Sequence, residues 1–314
     1  MELETDLLVI GAGYWGTGVT LKALERGIKV ITLDDNDKES GSRNASAVCD
    51  PKAYDSEIFA KYFPYDWTKK DLEESLEWLL TKGAYIVKEY FWNKYQGSSP
   101  RLMPREIFYL ETPQYLTSQI VPLNGKVVSI FQRRNLSKKT SEGWTIVYET
   151  IDKLTCKVIQ NLITCKKLVI ACGYRTDDVV ELISPNLKLG VGKLYGRGIN
   201  AKGTPNTSLP VSIMIKPYVK HTVRAWKNGI FKIGDTCEKK ISDTKFNNLE
   251  AVGREALDNF EIVEVTAGWR PTLPKFTVAK LLENLVVATG GHRLGLGVTG
   301  LVASKVLKEL KYDR

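Results

Sequence analysis

The sequence lacks any hydrophobic run that could cross a membrane. No segment approaches the roughly 18 consecutive apolar residues of a membrane-spanning helix, and the acidic start, Met1–Glu4, is unlike a secretory signal. We therefore expect a cytoplasmic protein without membrane contact. Hydrophobic residues make up 43% of the 314 residues, which is enough for a sizeable core in one large domain or two interleaved domains.

Histidine and cysteine are also scarce, which bears on metal binding and catalysis. The two histidines, His221 and His292, accompany five cysteines without C-x-x-C spacing, so we predict no metal site. No Ser/His/Asp or Cys/His constellation is evident that would supply a protein nucleophile. The cysteines are expected to be buried reduced thiols: Cys49, Cys156, Cys165, Cys172 and Cys237.

Acidic residues are outnumbered by basic ones. Lysine and arginine total 45 against 36 aspartates and glutamates, which gives a formal net charge of +9. A nucleic-acid partner, an anionic cofactor or a basic, well-solvated surface would each account for this charge, and composition leaves the three open. Basic residues cluster at Arg133–Lys139, Lys216–Lys227 and Lys305–Lys311.

What the sequence does contain is a complete βαβ signal at its start. An apolar run, Leu7–Ile10, predicts a buried parallel strand. Three glycines follow in G-x-G-x-x-G spacing, Gly11, Gly13 and Gly16. The first permits a tight turn, the second the approach of a pyrophosphate, and the third close packing of the helix on the strand. This order of signals predicts dinucleotide binding rather than a merely structural turn.

The rest of the unit agrees with that prediction. A helical pattern runs from Tyr14 to Arg26, with Gly27 where a C-cap is expected, and its N-terminus offers N–H groups to phosphates. The second strand, Lys29–Leu33, ends at Asp34, whose carboxylate is placed to accept hydrogen bonds from an adenosine ribose.

Beyond this unit the pattern alternates between strand-rich and helical segments. Small residues at Gly41–Val48 form either a plain loop or a segment close beneath a cofactor. A glycine-rich stretch, Thr289–Gly300, leads into a last helix whose N-terminus would stabilise negative charge on a bound reduced ring. Further helices are predicted at Asp71–Leu80 and Asn247–Leu257, a strand or pocket wall at Ala84–Tyr95, and strands at Val127–Phe131, Trp144–Tyr148, Lys157–Gln160, Asn161–Thr164, Leu168–Cys172, Ser212–Lys220, Ile230–Ile233, Glu261–Val265 and Asn284–Ala288.

Five segments, in this order, make the chain resemble the D-amino-acid oxidase superfamily, in the branch of glycine oxidase and sarcosine oxidase. They are VIGAGYWG with Asp34, LVIACGYRTDDV, PYVKHTVRAWKNGIFKIGDT, AGWRPTLPKF and NLVVATGGHRLGLGVTG. The Gly268–Pro271 block followed by ATGGHRLG is the most specific part. At the ribose position the family more often has Glu, and Asp34 is a shorter substitute.

The resemblance implies an α/β fold: a Rossmann-type, glutathione-reductase-like FAD-binding domain with an inserted, strand-rich antiparallel substrate domain. The FAD-binding domain would comprise residues 1–50, 120–186 and 267–314, and the substrate domain residues 51–119 and 187–266. Noncovalent FAD is implied, because no cysteine lies near Arg270. The implied cofactor contacts are Gly11, Gly13, Tyr14, Trp15, Gly16, Asp34, Ser42, Arg43, Ala45, Ser46, Val128, Cys172, Gly173, Gly268, Arg270, Gly291, His292, Arg293, Gly295, Leu296 and Gly297.

Family chemistry implies oxidation of an amine carbon, with hydride passing to flavin, hydrolysis of the imine, and oxygen as the usual electron acceptor. Arginines that match Arg270 and Arg293 bind the substrate carboxylate in glycine-oxidase-like members, a task suited to a permanently charged, bidentate guanidinium. A structural salt bridge is the alternative for either. His221 stands nearest to the aromatic residue that many members carry in the substrate hairpin, with Tyr218 or Trp226 as alternatives.

One relative suggests a substrate carried on nucleic acid. The chain also resembles the oxidase domain of the bifunctional enzyme that trims carboxymethylaminomethyl-uridine in tRNA and releases glyoxylate. With the charge of +9, this implies a glycyl-modified base in tRNA or hypermodified DNA. The alternatives are an oxidase of free glycine, sarcosine or a D-amino acid, and a flavin-binding module without turnover.

Overall fold

The computed structural model describes residues 2–45, 48–49, 51, 57, 61–64, 66–94, 101–112, 114–135, 140–152, 154–205, 211–215, 221–225, 229–234, 238–239, 243–291 and 294–312. Within these ranges the chain forms two eight-stranded sheets and several helices. None of the described helices is long and apolar enough to pass through a membrane.

The first sheet has a parallel centre, as the βαβ signal predicts. Its parallel strands are β1 (Glu2–Ile10), β2 (Val30–Asp34), β6 (Leu123–Asn124), β9 (Val158–Ile170) and β16 (Leu285–Thr289), in the order β16-β9-β1-β2-β6. Three antiparallel strands complete the first sheet. Strand β15 (Thr277–Leu282) pairs with β16, and β7 (Lys126–Asn135) pairs with β8 (Thr140–Ile151), which in turn pairs with β9. The end of β1 is fully buried, as expected of a strand covered on both faces.

Strand β9 corrects the sequence prediction, which divided this region into three strands. It runs without a break because its first half pairs with β8 while Leu162–Ile170 pair with β1. The polar residues between the predicted strands are therefore paired backbone and not turns.

Helices cover one face of the first sheet. They are α1 (Tyr14–Glu25), α2 (Lys69–Thr81) and α5 (Thr299–Glu309), and their apolar sides share a core cluster with Leu7 and Val9. Thr68 and Asp71 form a capping box that starts α2 two residues before the predicted position. The opposite face carries the meander and the short helix α3 (Thr176–Glu181), packed around the fully buried Trp144.

The second sheet is mainly antiparallel. In sheet order its strands are β14 (Leu257–Thr272), β10 (Gly192–Pro205), β13 (Phe231–Gly234), β12 (His221–Ala225), β11 (Val211–Ile215), β4 (Tyr85–Lys94), β5 (Arg101–Tyr109) and β3 (Val48–Cys49), and only the described pair β11–β4 is parallel. Helix α4 (Asp243–Ala256) packs on one face through Ile199, Val223 and Ile233. Strand β12 was not predicted; it pairs between β11 and β13.

The predicted fold class is confirmed: a parallel sheet with helices is joined to a strand-rich antiparallel sheet. The predicted domain boundaries remain a prediction. Two strands bear on them, since β3 pairs in the second sheet and β14 runs across residue 266. Among the cysteines, Cys49 and Cys165 are buried as expected, whereas Cys156 is exposed in the turn between β8 and β9.

Candidate active site

The glycine-rich turn after β1 has the close backbone approaches that its sequence predicts. Gly11 has a positive φ of 102°, and its amide donates to the Leu33 carbonyl at 2.8 Å. A Cβ on Gly16 would lie 1.8 Å from the Gly11 oxygen, so no other residue fits there. The start of α1 is thereby held directly above the end of β1.

Ser42 and Asp34 accept backbone amides in front of α1. Gly13 is the N-cap residue of α1, and the next amide, that of Tyr14, donates to Ser42 Oγ at 3.0 Å. Asp34 Oδ2 accepts the Ala12 amide at 2.6 Å, while Oδ1 accepts the Asn36 amide at 2.8 Å. An ionised carboxylate can accept about four hydrogen bonds, and Arg43 Nη2 is a third donor at 3.4 Å, so Asp34 retains capacity for about one ribose hydroxyl.

The end of β9 borders the same space. The Cys172 thiol donates to the Ile10 carbonyl at 3.3 Å, and burial, followed by nearby Asp34 and Asp35, raises the pKa of this thiol. Gly173 follows, and its carbonyl accepts the Thr289 hydroxyl at 3.0 Å. This bond ties the end of β9 to the end of β16, where the second glycine-rich segment begins.

The second glycine-rich segment lies against the start of α1. The indole Nε1 of Trp15 donates to the Gly295 carbonyl at 2.8 Å, and a Cβ on Gly291 would lie 2.8 Å from the same ring. Ser75 of α2 then donates to the Gly297 carbonyl at 2.8 Å. Leu296, also a predicted contact, is buried beside them. His292 and Arg293 lie outside the described residues, as does Ser46.

Arg270 reaches the junction of the two sheets. Its neighbour Trp269 donates its amide to the Glu39 carbonyl at 2.8 Å, which holds β14 against the small-residue segment. The Arg270 guanidinium lies over Gly196 of the adjacent strand β10, on the face that also carries Gly268. A Cβ on Gly268 would meet the Glu39 oxygen at 3.0 Å. Arg270 is therefore on the side of the second sheet that meets the nucleotide-binding segments.

Comparisons with known proteins add to this geometry. No family model and no curated protein matches the sequence. An iminodiacetate oxidase from Chelativorans sp. superposes with a TM-score of 0.70 at 12% identity, over 96% of this chain and 94% of its own. A glycine oxidase from Bacillus cereus gives 0.69 at 14% identity, over 99% and 98%. An L-α-glycerophosphate oxidase from Mycoplasma pneumoniae, solved with FAD bound, gives 0.62 at 15% identity, over 98% and 94%.

The chain has the glycine oxidase fold. The resemblance read from the sequence is thus confirmed at the level of the fold, over almost the whole length of the chain. Within the glycine oxidase fold, the described glycine motifs, Asp34 and Cys172 border one region, and Arg270 lies at its edge.

The remaining predicted site residues are Val128, Arg43, Ala45 and His221. Val128 is the extra residue of a β-bulge, between the register pairs of Val127 and of Ser129. A bulge leaves one residue out of the ladder, so its backbone groups can meet a ligand. Arg43 Nη2 lies 3.4 Å from Asp34 Oδ1, and Ala45 packs at the edge of the helical core. Only the backbone of His221 is described, at the start of β12.

Sequence reasoning missed a buried polar group on the Arg270 face. Lys232 of β13 is 1% exposed, and its ammonium donates to the Thr266 hydroxyl. That hydroxyl donates to the Gly198 carbonyl at 3.3 Å. The signal was a lysine within the apolar run IFKIG, since lysine is rarely buried without a partner. Lys232 adds positive charge to the sheet face that Arg270 occupies.

Proposed function

We propose that the chain is a FAD-dependent amine oxidase that acts on a glycine-type amine. Arg270 carries the proposal, because a guanidinium at the junction of the two sheets is suited to a carboxylate. The similar structures include a glycine oxidase and an iminodiacetate oxidase, whose substrates are carboxylates with an amine on the neighbouring carbon.

The residues present fit FAD. Gly13 has no side chain to occupy the space before α1, where helix amides and the helix dipole favour a pyrophosphate. Asp34 keeps acceptor capacity for the ribose, and the bulge at Val128 offers backbone groups to the adenine. Gly291 and Gly295, which lie against Trp15, would face the flavin ring.

In this proposal each part of the chain has a separate task. Arg270, with Arg293, holds the substrate carboxylate and so orients the amine-bearing carbon. The FAD-binding domain would comprise residues 1–50, 120–186 and 267–314, and the substrate domain residues 51–119 and 187–266, although α2 of the latter packs on the first sheet. When bound, FAD would accept a hydride from the amine-bearing carbon and pass two electrons to oxygen. Water would then hydrolyse the imine to glyoxylate and release the nitrogen as ammonia or as the parent amine.

The test uses the purified protein. It should be yellow, release FAD on acid denaturation, and lose its flavin colour anaerobically on addition of glycine or sarcosine, with glyoxylate formed in air. A yellow protein that no amine reduces would instead be a flavin-binding module without turnover. A protein that cannot be reconstituted with FAD contradicts the proposal.

A second candidate places the glycyl amine on a nucleic-acid base. It is favoured by the net charge of +9 and by a cleft of about 210 Å³ between α1, α2 and α5. Four basic side chains line this cleft, Lys22, Arg26, Lys305 and Lys308, against two acidic ones, Asp71 and Glu74. Phosphates bound there would release counterions as the nucleic acid binds.

The two candidates differ in their response to salt. Affinity for a glycyl-modified oligonucleotide should fall with a log–log slope of about −0.7 per phosphate contact for a single strand and about −0.9 for a duplex. Turnover of free glycine should show almost no such slope. Equal turnover of free glycine and oligonucleotide, without salt dependence, would identify a small-molecule oxidase.

A further inference from the structure

We propose that Gly196 is a positioning residue for Arg270 and sets the affinity of the carboxylate site. This inference rests on the proposed function, in which Arg270 binds the substrate carboxylate. Gly196 pairs with Gly268, and Arg270 pairs with Leu194, so the arginine side chain crosses diagonally over the neighbouring strand. Residues two apart on a strand share a face, so Gly196 lies on the same face of the sheet as Leu194 and its partner Arg270.

The guanidinium lies directly against the backbone of Gly196. A Cβ built there would be 2.5 Å from Arg270 Cζ, 2.5 Å from Nη2 and 2.6 Å from Nη1. These nearly equal distances show that the planar group lies flat over the strand. Ordinary contact begins at 3.4 Å, so an alanine would push the guanidinium away by about 1 Å, a displacement that can lower a rate by about 10²-fold.

Contacts with the segment around Glu39 and Gly41 restrain β14 at this point. Trp269, next to Arg270, is bonded through its amide to the Glu39 carbonyl at 2.8 Å. A Cβ on Gly41 would already lie 2.7 Å from the Trp269 oxygen, so the facing segment is in close contact too. The torsions of the Arg270 side chain would therefore take up the change.

The backbone itself does not require glycine at this position. Gly196 is not among the described residues with positive φ, so alanine can adopt its conformation. Gly196 instead leaves space for the Arg270 guanidinium, because it has no side chain. Replacing Gly196 should therefore change carboxylate binding rather than folding.

The experiment is a double-mutant cycle on the flavin-loaded protein, with Gly196→Ala, Arg270→Ala and both together. Glycolate, a glycine-sized carboxylate without an amine, is titrated by its effect on flavin absorbance, and kcat and KM are measured with glycine. Gly192→Ala is the matched control, because its Cβ lies on the same strand and face but meets the Thr272 hydroxyl at 2.4 Å.

Gly196→Ala should weaken glycolate binding about tenfold and raise KM for glycine, with flavin content and melting temperature retained. Arg270→Ala should weaken binding further, and the double variant should equal Arg270→Ala. Additive effects, wild-type binding by Gly196→Ala, an equal loss in the Gly192→Ala control, or a Gly196→Ala protein that does not load flavin would each overturn the inference. If Arg270→Ala itself keeps wild-type glycolate affinity, the proposed function fails and this inference fails with it.

Discussion

Replacing Ser75 with alanine should loosen the glycine-rich segment that leads into the last helix. Ser75 lies on α2 and is 1% exposed. Its hydroxyl donates to the Gly297 carbonyl at 2.8 Å and accepts the Leu301 amide at 3.1 Å. The N-cap residue of α5, Val298, has no side-chain oxygen, so Ser75 supplies from another helix the acceptor that an N-cap normally provides.

The size of the effect follows from the two bonds. In Ser75→Ala the Gly297 carbonyl and the Leu301 amide both lose this buried partner, at about 1–3 kcal/mol for each unsatisfied group. We expect the free energy of unfolding to fall by about 2–6 kcal/mol, which corresponds to about 3–9 °C in melting temperature for a chain of this size. Because Gly297 belongs to the proposed flavin site, FAD should also bind more weakly. Each loss of about 1.4 kcal/mol in binding free energy would raise the Kd for FAD tenfold.

Thermal melting with and without added FAD measures both effects, and FAD affinity follows from fluorescence titration. Thr81→Val is the control, since it removes an exposed hydroxyl from the same helix that bonds only locally, to the Trp78 carbonyl at 2.7 Å. Melting of Ser75→Ala within about 1 °C of the control would refute the capping argument. A lower melting temperature with unchanged FAD affinity would instead separate the segment from the flavin site.

Three further predictions concern single residues. Gly13→Leu should give colourless protein, because the side chain would occupy the approach path of the pyrophosphate; absorbance at 450 nm decides this, and yellow protein contradicts it. Trp15→Phe removes the 2.8 Å bond to Gly295 and should raise the Kd for FAD by about 3–10-fold in fluorescence titration; an unchanged Kd contradicts it. Burial raises the pKa of Cys165 to about 12, so only a fraction of about 10⁻⁴ of this thiol is ionised at pH 8. Iodoacetamide should therefore label the exposed Cys156 much faster than Cys165, as measured by mass spectrometry of peptides. Equal labelling rates would contradict a buried Cys165.

The elements predicted best are those whose signals are local. The β1–α1–β2 unit was located within about two residues, apart from an earlier start of β1, because its apolar run, glycines and caps act over one or two turns of chain. Strand β9 was divided wrongly because it pairs with β8 over Val158–Cys165 and with β1 over Leu162–Ile170, and no local pattern records that these two overlapping ladders join into one long strand.

The residues of the candidate site likewise divide into those that local sequence signals indicate and those that only the fold brings together. The glycine motif and Asp34 could be singled out from their spacing, and the structure brings them together, since Asp34 accepts the Ala12 amide. Ser75 could not be found in this way, since its two partners lie more than 200 residues along the chain and a serine inside a helix carries no signal of its own. Gly196 is similar, because only the pairing of β10 with β14 brings it beneath Arg270.

The contact of the first helix with the last has a consequence for synthesis on the ribosome. A Cβ on Gly18 of α1 would lie 2.5 Å from the Thr299 side chain, so α5 covers part of the surface that α1 presents. A nascent chain that has not yet reached residue 299 therefore exposes apolar α1 surface while the middle of the protein is being made. Such exposed surface favours aggregation. The growing polypeptide should therefore depend on chaperones until α5 has emerged, and FAD would bind only a chain in which α5 is in place.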